Sequence, residues 1–123
     1  MLQTAALLLL LIGLVHSYLG ERYILIRLFR SGKVPHLFGS DTFPKGTLRF
    51  AWHMTTFTWW GFAYLLLAIA YDPGELQQSV LRAVVTVFLL TGLLAFGFTR
   101  GRHLSWLVFW TVAGLAYYAS LAG

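Results

Sequence analysis

Residues 2–19 read Leu-Gln-Thr-Ala-Ala-Leu-Leu-Leu-Leu-Leu-Ile-Gly-Leu-Val-His-Ser-Tyr-Leu, with Leu2 at the start and Leu19 at the end, and contain no Asp, Glu, Lys or Arg. A transmembrane helix needs about 20 mostly apolar residues to cross about 30 Å of hydrocarbon. This stretch comes close to that length, and three more follow at about 48–71, 79–99 and 103–122. The runs are unbroken and lack the alternation of about ten residues that marks a membrane barrel strand. The expected fold is all-α: an integral membrane four-helix bundle, one transmembrane domain over residues 1–123.

The composition agrees. The chain is 59% hydrophobic and 11% charged, whereas a soluble domain is about 25% charged. That balance excludes a soluble globular enzyme, a disordered tail and a disulfide-stapled secreted module. There is no cysteine, so disulfides and thiolate metal sites are excluded too. A cleavable signal peptide is the competing reading of the first stretch, with Val15 and Ser17 as its small-residue site. Such a peptide opens with Lys or Arg, and Met1 to Thr4 supply neither.

Four crossings put residues 20–47 and the turn 100–102 on one side, and the termini with the turn 72–78 on the other. The first side carries Arg22, Arg27, Arg30, Lys33, Lys45, Arg49, Arg100 and Arg102, leaving only Arg82 for the second. Short loops rich in Lys and Arg stay in the cytoplasm. The chain is therefore expected in the bacterial inner membrane with both termini periplasmic. Its basic side should attract anionic lipid of the cytoplasmic leaflet. Nothing in it could present a groove-binding element to nucleic acid.

Residues 20–47 are the one sizeable segment outside the spans. At 100° per residue, Arg22, Arg27 and Arg30 share one side of a helix, and Ile24, Leu25, Leu28 and Phe29 share the other. That pattern predicts a short interfacial amphipathic helix, set off from the first span by a bend at Gly20. Gly32, Pro35, Gly39 and Pro44 then mark a loop.

The candidate site lies at this basic end. His16 falls about one turn inside the first span and His53 about one turn inside the second, so they share a depth. Arg49, His53, Thr56 and Trp60 fall within about 60° on one helix face. His103 opens the fourth span. Glu21 projects from the apolar side of its helix, away from Arg22, Arg27 and Arg30, and ionisable groups facing the membrane usually pair or mark a functional pathway. Its available partners are Arg49, Arg22, or a cation shared with His16 and His53. Convergence of His16, His53, His103 and Glu21 would suit zinc, iron or copper. Haem held between His16 and His53 is the variant. Against both stands ordinary packing, with Arg49 snorkelling to phosphate and Glu21 paired to it. The tryptophans fit core and interface anchoring. Gly13, His16 and Gly20 share a face where another backbone could approach, within this chain or in a homo-oligomer.

His16-Ser17-Tyr18-Leu19-Gly20-Glu21-Arg22 and Leu48-Arg49-Phe50-Ala51-Trp52-His53 resemble stretches of small uncharacterised bacterial four-helix membrane proteins. The resemblance implies the architecture and no activity. Three functions compete on the residues: a metal- or haem-binding accessory or redox protein, an oligomeric transport or channel module, and a structural subunit of a larger membrane complex. No nucleophile stands beside a base in the sequence, so catalysis has no positive signal.

Overall fold

The computed structural model describes residues 1–122, and among them every regular element is helical. We label the helices α1 (Leu2–Arg30), α2 (Thr42–Tyr71), α3 (Leu76–Thr99) and α4 (Ser105–Leu121). Three helical runs, Leu2–Arg30, Thr42–Tyr71 and Pro73–Thr99, are long and apolar enough to cross a membrane, while α4 is shorter at 17 residues.

α1 is not interrupted at Gly20. Gly20 keeps right-handed helical angles, φ −61° and ψ −49°, and the chain continues through a π-helical stretch, Gly20–Leu25, into Ile26–Arg30. The expected separate interfacial helix is instead the end of one 29-residue helix. A π-turn inserts an extra residue and rotates the side chains beyond it about the helix axis. Here Gly20 and Leu25 are buried and Arg22, Arg27 and Arg30 are exposed. Glu21 looks toward α2. The packing explains the continuity: the Trp52 indole from α2 lies directly on Gly20, where a Cβ would collide with it.

α2 likewise begins earlier than the hydropathy suggests, at Thr42. Polar Lys45 and Gly46 are helical because Gly46 sits against the Phe98–Thr99 backbone of α3, leaving no room for a side chain. Asp41 precedes the helix and pairs with Lys45. That hydrogen bond holds the Asp41 carboxyl below the usual aspartate range. Before it, Leu37 and Ser40 exchange backbone hydrogen bonds of 2.8 and 3.3 Å across Phe38 and Gly39, both at positive φ. That pair of angles is the two-residue turn in which glycine is favoured.

Each helix packs on its neighbour in the chain: α1 on α2, α2 on α3, α3 on α4. Non-consecutive helices share no comparable interface among the described residues. The four helices thus form an open row with α2 and α3 in the middle. The outer faces of α1 and α4 stay exposed through Leu7, Leu8, Leu11, Leu14, Leu107, Val108 and Leu115.

One joint recurs three times along this row. A tryptophan indole enters a notch left by a glycine on the next helix, and its N–H donates to a carbonyl about one turn earlier. Trp60 fills the notch at Gly13 and donates to the Leu10 carbonyl at 3.3 Å. Trp52 fills the one at Gly20 and donates to His16 at 3.0 Å. Trp110 fills the one at Gly92 and donates to Leu89 at 3.3 Å. The small-residue face of α1 therefore receives indole rings of the same chain, not another backbone. Gly97 and Gly114 have nothing within 4 Å of a built Cβ, so the Gly97-x-x-x-Gly101 spacing is not a packing seam.

Candidate functional site

Arg49, His53, Thr56 and Trp60 all face α1, as their shared stripe on α2 requires. What they meet there is a continuous chain of polar contacts. Arg49 holds both carboxylate oxygens of Glu21, Nη2 to Oε1 at 2.5 Å and Nε to Oε2 at 3.1 Å. Its guanidinium also lies over the Phe29 and Phe98 rings, at 5.0 and 5.7 Å from their centroids. His53 Nε2 donates to Glu21 Oε2 at 3.1 Å. On the other side of the ring, Nδ1 lies 2.9 Å from the Ser17 hydroxyl. Ser17 Oγ is 2.7 Å from Thr56 Oγ1, which in turn reaches the Gly13 carbonyl at 3.3 Å.

Ser17 carries no weight as a site residue in the sequence, where it reads as one polar residue in an apolar run. The signal that finds it is spatial: it lies one turn before Glu21 on α1, so both reach the same imidazole from the facing helix.

The hydrogens in this chain can be counted. With His53 neutral, Nε2–H donates to Glu21, Nδ1 accepts the Ser17 O–H, and Ser17 accepts from Thr56. With His53 cationic, Nδ1–H donates to Ser17, Ser17 donates to Thr56, and Thr56 donates to the Gly13 carbonyl. Every donor has an acceptor in both states, because hydroxyls reverse direction by rotating about one bond. Glu21 remains ionised against Arg49 in each. The chain can therefore gain or lose a proton at His53 Nδ1 without leaving a buried polar atom unpaired, which would cost about 1–3 kcal/mol.

The chain is open at one end only. The Glu21 and Arg49 side chains are 29% and 31% exposed, whereas Thr56 is 2% exposed. Beyond Thr56 the α1–α2 seam is closed by the Trp60 indole over Gly13. The Ser17–His53–Glu21 order also resembles a nucleophile, base and acid. Ser17, however, sits inside α1, whose N–H groups are used in the helical ladder, so no pair of free donors faces it to stabilise an oxyanion.

The other histidines go elsewhere. His16 stacks on Trp52, with centroids 4.7 Å apart and planes 3° from parallel, and its Nε2 donates to the Trp52 carbonyl at 3.3 Å. With the indole donating back to the His16 carbonyl, the two residues clamp each other. His103 stands before α4, its Nδ1 2.6 Å from the Ser105 hydroxyl and its ring between Phe43 and Phe50. Among the described residues, no three His, Asp or Glu groups are placed to hold one metal ion. The expected convergence of His16, His53, His103 and Glu21 is not formed: only His53 and Glu21 meet. Haem between His16 and His53 does not fit either, since both His53 nitrogens are engaged by Glu21 and Ser17.

Comparison with family models, curated proteins and solved structures finds no match for this chain. The geometry alone carries the functional reading.

Proposed function

We propose that this chain is a four-crossing inner-membrane protein with its basic end in the cytoplasm and both termini in the periplasm. It serves there as a proton-binding accessory module. α4, about 25 Å long, spans with modest local thinning of the bilayer. Arg22, Arg27 and Arg30 face anionic headgroups at the end where the polar chain opens. The observation that carries the reading is the Arg49–Glu21–His53–Ser17–Thr56 chain, which is fully hydrogen-bonded whether His53 is neutral or cationic. Its closed inner end supports storage of a proton and argues against conduction across a single chain.

The test is solid-state NMR of protein with 15N-labelled histidine in liposomes, recorded across a series of buffered pH values. Proton uptake by the chain would be read as conversion of His53 from a ring with bare Nδ1 to a doubly protonated ring. In Ser17→Ala the cationic Nδ1–H loses its acceptor, and an unpaired charged donor costs more than an unpaired neutral acceptor. The doubly protonated fraction at a given acid pH therefore falls. A wild-type His53 that keeps one protonation state throughout, or proton flux into the liposomes above background, overturns the proposal.

A further inference from the structure

Toward the far end of the helices from Glu21 and Arg49, α2 and α3 leave an open groove of about 210 Å³ between them. Its floor is set by small residues. Gly61 comes so close to α3 that a Cβ there would meet Val87 Cγ2 at 2.7 Å, and Ala83 beside it is buried at 7% exposure. One wall is Phe57, Trp60 and Tyr64 from α2, and the other is Arg82, Thr86 and Leu90 from α3.

The polarity of the groove is graded along its length. Arg82, Thr86 and Leu90 are spaced four residues apart, so they form one row rising about 12 Å along α3. The row starts with a cation, passes a hydroxyl and ends in a leucine. Because α2 runs antiparallel to α3, the Tyr64 phenol lies at the Arg82 end and Phe57 at the Leu90 end. Arg82 has no carboxylate partner among the described residues, where the ion pairs are Asp41–Lys45, Glu21–Arg49 and Glu21–His53. Asp72 and Glu75, the acids of this end, are in none of them. An unpaired guanidinium near the membrane is costly unless it reaches water or an anion.

We infer that this groove holds one anionic phospholipid of the periplasmic leaflet. Its phosphate sits on Arg82, whose planar fork of donors matches phosphate oxygens. One acyl chain lies along the row toward Leu90, against Phe57 and Trp60. A cation at one end and an apolar trough at the other match such an amphiphile, and a soluble anion uses only the cation. A zwitterionic phospholipid offers the same phosphate, but its own ammonium offsets the negative charge that Arg82 attracts. The inference rests on the membrane placement proposed above and is independent of the His53 chain.

Native mass spectrometry of protein released from membranes of equal phosphatidylglycerol and phosphatidylcholine tests it. The wild type retains one phosphatidylglycerol in preference to phosphatidylcholine. Arg82→Gln reduces that preference about fivefold, the attraction of one basic residue at a membrane surface. Thr86→Phe fills the groove from an exposed position and removes the bound lipid while keeping Arg82. Equal retention of both lipids by the wild type, or a preference that survives both Arg82→Gln and Thr86→Phe, overturns the site. Retention of neither lipid by protein that was recovered from the membrane fraction overturns the site and leaves the membrane placement standing.

Discussion

Gly20→Ala is the substitution that tests the packing on which the polar chain depends. A Cβ at Gly20 falls on Trp52 Nε1, Cε2 and Cζ2, so the indole must leave its notch. On leaving, it gives up the 3.0 Å bond to the His16 carbonyl and the stacked contact with the His16 ring. Overpacking costs about 1–3 kcal/mol, the lost hydrogen bond about 1 kcal/mol and the ring contact about 0.5–1.5 kcal/mol. Opposing them, alanine is favoured over glycine inside a helix by about 1 kcal/mol. The net expectation is a loss of about 1.5–4.5 kcal/mol, with overpacking as the largest part. Glu21 follows Gly20 in the chain, so the same shift disturbs its bonds to Arg49 and His53. Unfolding of the purified protein in mixed micelles of increasing denaturing detergent, followed by far-UV circular dichroism, measures the effect. Gly97→Ala and Gly114→Ala are internal controls, because their added methyls meet nothing within 4 Å. Both should be neutral or gain up to about 1 kcal/mol. In a Trp52→Ala background Gly20→Ala should lose most of its cost, a coupling of about 2 kcal/mol. If Gly20→Ala behaves like Gly97→Ala, the indole-in-notch account is wrong.

The same geometry sets two other outcomes. Glu21→Gln leaves Arg49 without its carboxylate and should cost about 1–2 kcal/mol, less than the 3–5 kcal/mol of a fully buried pair because both side chains are near one-third exposed. Adding Arg49→Gln should recover part of that loss, and a double variant no better than Glu21→Gln alone would mean the pair is not the stabilising contact. His16→Ala and His103→Ala should be additive within about 0.5 kcal/mol, since one ring belongs to the α1–α2 seam and the other to the Phe43–Phe50 contact. Strong non-additivity would bring back a shared ligand.

The sequence-level reading of α2 was specific because periodicity fixes direction. Arg49, His53, Thr56 and Trp60 share a face in any α-helix, and all four turn out to touch α1. Glu21 was legible as the odd carboxylate on the apolar side, with Arg49 among its named partners. Three things escaped. Gly20 reads as a bend, but the ring that fills its notch comes from a residue 32 positions later, so continuity through it is a tertiary effect. Ser17 reads as incidental until His53 is brought against it. Four candidate ligands toward one end of the helices suggest convergence, yet a shared depth says nothing about lateral position. Both rings pack on α2, His16 on Trp52 and His103 on Phe43 and Phe50, but those positions lie on opposite sides of that helix, so His16 and His103 stay apart.

The sequence by itself determined the helices and the crowding of cations at one end, because hydropathy and 3.6-residue periodicity are local properties of the chain. Tertiary structure alone decided which helices are neighbours, where the glycine notches lie and which hydroxyl completes the His53 chain. Those features depend on side chains from separate helices meeting within about 3 Å. Residue spacing along one helix does not encode that distance.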